Sequence, residues 1–508
     1  MLVEVILFSA TIFGFIWYIK NQQNFFKNLN IEYDKTSPFI QLKEMFFRKK
    51  NLHDMVEDMY KKCDSSIVGF YELLSPIFMI RHPDLINQIL ISDFNHFMNH
   101  RDFFTGEHNG LLSNNLFSLK GQKWKDMRAT LTPAYTGSKL RAMFELIRET
   151  AEDFTINLKK EIKDGLSDVE IKDYFTRYAN DVIATSAFGF QINSMIEKDN
   201  SFLEMSKGVT DFGKFGMFKM IMVMQFQKLS RFFKIRILSK KYTDYYKNLV
   251  MGTMKKRFDE QIFRPDMINM LMEARGIDVM GSQDLKVNQK WSDDEIIAQS
   301  LMFLFSGFEN VSSVLCFLSQ ELMENQDVQR KLKAEIQEVL KELNGGQLTY
   351  EVLNGMKYMD CVVSESMRKW PVNAMTDRVC TKAIEIQDPE TGESLHLKAG
   401  DKIFIPILGL HRDPKYFPDP MKFDPERFSD ENKDSINPNT YLPFGVGPRM
   451  CIAHRFAYLE IKAMLFYMFS DLRVDVSEKS TIPLELDPEP AQPYPKNGFW
   501  VKLLGDGK

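Results

Sequence analysis

The segment SDDEIIAQSLMFLFSGFENVSSVLCFLSQELMEN, residues 292–325, constrains the fold more than any other part of the chain. Ser292 and Glu295 have capping-box spacing and acids fill the first turn, which marks a helix start. The apolar pattern then runs to Asn325 without a proline, longer than most globular helices. Its middle is apolar all round, and such a helix is stable in water only when protein packs on every side of it. The chain is therefore expected to be built about one long central helix.

Neighbouring segments read the same way. DVQRKLKAEIQEVLKEL (327–343) is an amphipathic helix stopped by Gly345 and Gly346, and LNGMKYMDCVVSESMRKWP (353–371) a further helix stopped before Pro371. Strand signals are few: RVCTKAIEIQ (378–387), ESLHLKAGDKIFIPIL (393–408) and GFWVKLL (498–504). From Asp413 to Asn439 the chain is rich in Pro, Asp and Phe, which suggests an ordered meander. The expected class is mainly α with small β-sheets. At roughly 150 residues per domain the length allows about three domains. No repeat and no Gly/Ser or Pro linker divides the chain, so a single large domain over 51–508 is expected.

The N-terminus adds a different element. Residues 2–19 are apolar apart from Glu4 and a few small polar residues. As a helix they span roughly 27 Å, close to a hydrocarbon core. Trp17 and Tyr18 stand where an aromatic belt forms, and Lys20, Lys27, Arg48, Lys49 and Lys50 follow, which places the bulk of the chain in the cytosol. Neither a basic leader nor a small-x-small cleavage site is evident, so an uncleaved transmembrane anchor (1–20) and a basic hinge (21–50) are expected. The net charge of −4 argues against nucleic-acid binding by general basicity. Five scattered cysteines (Cys63, Cys316, Cys361, Cys380, Cys451) read as free thiols in a reducing compartment. Residues 210–233 are rich in Phe and Met with interspersed lysines. They read either as an amphipathic core helix pair or as a membrane-dipping cover over an apolar pocket.

The densest chemistry lies in FGVGPRMCIAHRF, residues 444–456. Gly445 and Gly447 permit close backbone approach, Pro448 stiffens the loop, and Cys451 opens an apolar helix whose dipole and free N–H groups favour a thiolate. Such a thiolate can be a nucleophile, a redox thiol or a metal ligand, and His454 is one turn away. Phe444, Gly447, Arg449 and Cys451 fit F-x-x-G-x-R-x-C, and here the chain resembles the cytochrome P-450 family of haem-thiolate monooxygenases, with a flavour of insect microsomal, xenobiotic-metabolising members. The resemblance implies a haem b (iron protoporphyrin IX) cofactor with Cys451 as axial ligand, Phe444 near the sulfur and Arg449 on a propionate. It also implies that Trp124 and Arg128 in WKDMR, and Arg378 on a strand, reach propionates. Glu365 and Arg368 in ESMR, with Arg427 in FDPERF, correspond to a buried structural cluster.

Three departures stand out. Ala453 occupies a position where the family usually has glycine, and the hinge carries only Pro38. On the central helix the family motif A/G-G-x-D/E-T-T/S becomes Ser306, Gly307, Phe308, Glu309, Asn310, Val311, Ser312. The acid, Glu309, is kept and Gly307 leaves room, but the usual threonine, whose hydroxyl helps hold a proton-delivering water chain, is Asn310. Glu309 and Asn310 are the candidate catalytic residues.

The implied reaction is monooxygenation of a lipophilic small molecule with O2. Electrons would come from NADPH through an NADPH-cytochrome reductase, with cytochrome b5 as a second donor, at the endoplasmic reticulum membrane. Lys120, Lys123, Lys125, Lys139 and Arg141 would meet the reductase's acidic surface. The alternatives are haem-thiolate isomerase or dehydratase chemistry on peroxides, which Asn310 makes more plausible, and a non-catalytic membrane haem binder. The resemblance places Phe103, Leu112, Phe117, Phe212, Phe215, Phe305, Gly307, Val372 and Tyr494 at the substrate pocket, whose apolar character says only that the substrate is lipophilic.

Overall fold

A computed structural model of the chain describes residues 24–36, 50–72, 75–104, 109–211, 213–277, 291–488 and 492–505. The expected anchor (1–20), Pro38 with most of the hinge, and Phe212 lie outside the described residues. The elements used below begin with helix α1 (Leu52–Lys61), strands β1 (Ile67–Glu72) and β2 (Ser75–Ile80), and helices α2 (Gly121–Leu131) and α3 (Gly137–Lys163). Strand β3 (Asp168–Glu170) leads into helices α4 (Ile171–Ile183), α5 (Gly213–Gln225), α6 (Asp293–Glu324), α7 (Gln326–Leu343) and α8 (Lys357–Lys369). Strands β4 (Thr376–Val379), β5 (Ile384–Gln387), β6 (Ser394–Leu397) and β7 (Lys402–Ile405) precede helices α9 (Ile407–His411) and α10 (His454–Asp471). Strands β8 (Leu472–Asp475) and β9 (Trp500–Gly505) close the chain.

The chain divides into two compact units, each assembled from three segments. The first takes the chain through Arg101, Asn373–Pro420 and Ile436–Met450; the second takes Asp102–Val372, Met421–Ser435 and Cys451 onward. One undivided domain was the expectation. Because the units exchange segments along the chain, no linker or composition change marks the division.

In the first unit, a four-stranded sheet runs in the order β1-β2-β7-β4. The β2–β7 pair is parallel and the others antiparallel. A hairpin, β5–β6, pairs Ile384 with Leu397. The core is aromatic and β-branched: Phe26, Tyr71, Phe78, Ile80, Ile403 and Ile405 are buried together. Phe26 lies so close over Gly69 that an added Cβ would meet its ring at 2.4 Å, so this strand position admits only glycine.

The second unit is mainly helical, with the three-stranded antiparallel sheet β3-β9-β8. Its axis is α6, the helix expected from the sequence. The capping box forms: Glu295 N–H donates to Ser292 Oγ while the Glu295 carboxylate accepts from the Ser292 N–H at 2.8 Å. Most of α6 is buried, so its length and apolarity belong to a core helix.

Local differences have local causes. The helix expected over 353–371 is broken at Met356 (ψ 95°) into Tyr350–Gly355 and α8. The first C-terminal strand signal is split between β4 and β5, and Pro406 ends β7, so that Ile407–His411 turns helical. Strands β1, β2, β3 and β8 were not anticipated. The stretch 413–439 is a meander of turns, as expected. The Phe/Met region is a helix pair, α5 and Gln227–Phe232, but its aromatic rings face outward: Phe215 is 69% and Phe232 78% exposed.

Candidate active site

In the first unit, the loop before the cysteine is held by backbone geometry. Gly445 and Gly447 have φ of 70° and 73°. A Cβ on Gly447 would stand 2.2 Å from the Leu90 carbonyl oxygen, so the close approach read from the sequence is real and glycine is required there. Arg449 Nε donates to the Met98 carbonyl at 2.9 Å.

The same unit contains a buried ionic group that sequence reasoning found only in part. Arg378, on β4, is buried; Nη1 donates to the Asp377 carbonyl at 2.6 Å, and Nε has no hydrogen-bond partner among the described residues. Burial lowers its pKa to about 10. His100 Nδ1 lies 3.1 Å from Asp377 Oδ1, and the Arg101 N–H donates to Asp377 Oδ2 at 2.6 Å. Burial holds His100 down at about 4, against the pull of Asp377 and with the help of the Arg378 and Arg449 charges. Burial also works to raise Asp377, but His100 and Arg101 overcome it and hold the carboxylate at about 2. Arg101, Arg378 and Arg449 outnumber Asp377 and Glu72, which pairs with Arg101 at 2.9 Å, so the group is cationic, and an unpartnered buried N–H suits an anionic ligand. Nothing in NHRD (99–102) signals His100 in sequence, since its partner Asp377 is 277 residues away.

In the second unit, Cys451 lies just before α10, which begins at His454, three residues later than the sequence suggested. Burial pushes its thiol pKa up; the Ala453 N–H, bonded to the sulfur, and the Arg128 charge pull it down. A partly buried thiol in this balance ionises when a metal cation meets it. Ala453 has φ −98° and ψ 15°, which alanine adopts without strain, so the missing glycine is accommodated. His454 Nδ1 lies 3.1 Å from the Cys451 carbonyl oxygen at the start of α10.

Trp124 is buried on α2, and Arg128, one turn later, is partly buried with its pKa lowered by that burial. Tyr135 belongs with them: burial raises its hydroxyl pKa and the Cys451 charge adds to the rise. The Tyr135 ring lies 6.0 Å from that of Phe303 on α6, which ties the central helix to the surroundings of Cys451. Although most of α6 is buried, Met302, Phe303, Phe305, Ser306, Gly307, Glu309 and Asn310 keep accessible surface, so open space lies along its middle turns.

Gly307 faces α4: a Cβ there would meet Ile183 Cδ1 at 2.3 Å. Its missing side chain is thus used by helix packing. Glu309 Oε1 accepts from Lys172 Nζ at 2.7 Å, and the same ammonium donates to Ser312 Oγ at 2.9 Å and Ser313 Oγ at 3.0 Å. Lys172 escaped the sequence reading because it lies 137 residues from its partner.

Glu365 and Arg368 on α8 are fully buried and bidentate at 2.7 and 2.8 Å. Arg427 Nε is 3.5 Å from Glu365 Oε1, which also accepts from the Asp424 N–H at 2.9 Å.

Of the residues expected at the substrate pocket, Phe103 and Phe117 meet with ring centroids 5.6 Å apart and Leu112 is buried. Tyr494 Oη donates to Glu170 Oε1 at 3.2 Å. Phe444, Phe305 and Val372 are partly buried, whereas Phe215 is a surface ring with Lys219 Nζ 4.6 Å above it.

Comparison with known proteins supplies the context for this arrangement. The cytochrome P450 family profile matches residues 36–500. Probable cytochrome P450 9f2 of Drosophila melanogaster is 44% identical over 508 residues, covering 98% of each chain. Cytochrome P450 9e2 of Blattella germanica is 39% identical over 94% of this chain and 93% of its own. Cytochrome P450 6k1 of the same species is 33% identical over 86% and 84%. With a cysteine loop, a capped central helix and a buried Glu–Arg pair in the expected order, and matches of this extent, the chain belongs to the cytochrome P450 family and is a haem-thiolate monooxygenase by class.

Proposed function

We propose that the protein is a membrane-bound monooxygenase that inserts one oxygen atom of O2 into a lipophilic small molecule, with NADPH electrons delivered by a flavoprotein reductase. The observation that carries this reading is Cys451, a partly buried thiol with a backbone N–H on its sulfur and an arginine charge beside it. A haem bound by this thiolate supplies the redox centre at which O2 is activated.

The chain's own residues bind, orient and exclude. Cys451 Sγ is the metal ligand, and the Ala453 N–H stabilises its charge. In the second unit, Trp124 and Arg128 on α2 are the donors suited to a propionate. In the first unit, Arg378 and Arg449 are suited to the same chemistry, and the unpartnered Arg378 Nε is a ready donor. Phe303 and Phe305 keep bulk water from the middle of α6, and Asn310 orients a water there through its amide. Phe103, Leu112 and Phe117 make an apolar wall for the substrate.

Reductase docking on and beside α2 draws support from Lys120, Lys123 and Lys125, with Lys139 and Arg141 in the first turns of α3. Lys120 pairs with Asp102, Lys123 with Glu295 at 2.5 Å and Arg141 with Glu351 at 2.6 Å, so part of that charge is neutralised within the chain. The endoplasmic reticulum, with the catalytic domain on the cytosolic side, is the proposed site of action.

Cys451→Ala tests the reading. The red-shifted absorbance of the reduced, carbon-monoxide-bound protein should disappear, together with NADPH-dependent formation of a hydroxylated product. A band that survives overturns the ligand assignment. Turnover of a fatty-acid hydroperoxide without reductase points instead to isomerase or dehydratase chemistry.

A further inference from the structure

The loop that delivers Cys451 is fastened by a buried histidine outside every motif read from the sequence. His411, the last residue of α9, is fully buried. Its Nε2 accepts the backbone N–H of Leu442, also fully buried, at 2.7 Å. Tyr441 stacks on the imidazole, with centroids 5.4 Å apart and planes at 28°, and Phe417 meets its edge at 6.4 Å. Acceptance at Nε2 requires a neutral ring with its proton on Nδ1.

Leu442 is the first fixed point of the cysteine turn. Its carbonyl accepts the Gly445 N–H at 3.1 Å, and Gly445 begins the left-handed turn. Gly447 follows against the Leu90 carbonyl, and its own carbonyl accepts the Met450 N–H at 3.0 Å. Cys451 is the next residue. Backbone hydrogen bonds therefore run in short steps from the imidazole to the residue before the thiol. A buried amide at Leu442 without an acceptor carries the full desolvation penalty, so without His411 the turn moves to find another partner.

We propose that His411 is a positioning residue for Cys451: by holding the Leu442 amide it sets the turn that presents the thiol. The inference rests on the reading of Cys451 as the haem ligand. His411 does not touch the reacting atoms; it acts through the backbone.

The test uses the full chain with two substitutions. His411→Phe keeps a ring between Tyr441 and Phe417 but removes the acceptor. His411→Gln gives up the stacking but offers a carbonyl oxygen to the amide. Two signals are read: hydrogen exchange at the Leu442 amide, and the fraction of reduced, carbon-monoxide-bound protein with the red-shifted thiolate band. The phenylalanine variant should exchange at Leu442 at least about tenfold faster and lose most of the thiolate band. The glutamine variant should restore both in large part. If His411→Phe keeps the band and slow exchange, the proposal is overturned. If it does not fold, the glutamine variant decides: a retained band with a protected amide supports the anchor, and loss of both overturns it. Wild-type protein without the band, or a Cys451→Ala variant that keeps it, overturns the ligand reading instead and leaves the Leu442 exchange to report on the anchor separately.

Discussion

Glu309 and Asn310 are adjacent on α6 but serve different neighbours. Glu309 is tied to Lys172, whose three N–H donors go to this acid and to the hydroxyls of Ser312 and Ser313. Asn310 lies one turn beyond Ser306 and two beyond Phe303, so the three share a helix face. That face leads, through the Phe303–Tyr135 ring contact, toward the surroundings of Cys451 and Arg128. The side chain at the usual threonine position is an amide on this face, while the acid is engaged with Lys172. An amide orients water but has no hydroxyl proton to pass on and regain each cycle. Asn310→Thr should therefore raise the ratio of product formed to NADPH consumed, on the order of twofold, without changing the haem spectrum. Paired measurements of NADPH loss, peroxide and product in both proteins check it. A wild type already tightly coupled, and no better with threonine, shows that the amide fully replaces the hydroxyl.

At the scale of elements, α8 is held by one of its own charge pairs. Glu365 and Arg368 sit at i and i+3, the spacing of an ordinary surface pair, yet both are fully buried. Burial changes the stakes: an exposed pair contributes little, but removing one partner of a buried pair leaves an uncompensated charge. Arg368→Ala strips Glu365 of its bidentate partner and should destabilise the second unit by about 3–5 kcal/mol. A thermal melt of the holoenzyme, with haem retention followed in parallel, reads this directly; an unchanged melting temperature refutes it. From residues alone the pair is an i,i+3 match and nothing more; its burial and its link to Arg427 came from the resemblance. The capping box of α6 was legible because its hydrogen bonds span three residues. The break at Met356 was not, because the apolar spacing continues across it. Strands β1 and β2 escaped for a different reason. Residues 67–70 and 77–80 are buried without interruption, so they lack the polar alternation that marks a half-exposed strand.

At the scale of the whole molecule, the sequence conveys composition and class better than assembly. The helical character, the free cysteines and the central helix follow from local pattern. The division into two interleaved units does not, nor do the His100–Asp377 and Lys172–Glu309 pairs, because contacts across more than a hundred residues leave no periodic trace. The outer surface of the Phe/Met region belongs to the same scale. Phe215, Phe218, Phe226, Leu229, Phe232 and Phe233 are all exposed, on a short helix pair that also carries Lys219, Lys228 and Arg231. Soluble surfaces rarely gather this many apolar rings, and basic residues among them suit an anionic lipid surface. A chain truncated before Lys20 lacks the proposed anchor but keeps this patch. It should therefore still bind vesicles, reversibly, and more tightly when they contain anionic lipid. Each phenylalanine taken into the interface contributes up to about 1.5–3 kcal/mol, so Phe226→Ser, Phe232→Ser and Phe233→Ser together should abolish sedimentation with vesicles. High salt should weaken binding only in part, because ionic attraction is screened and apolar burial is not. Truncated protein that stays wholly in the supernatant at low salt refutes the interfacial role, and complete release by salt assigns the attraction to the lysines and arginine alone.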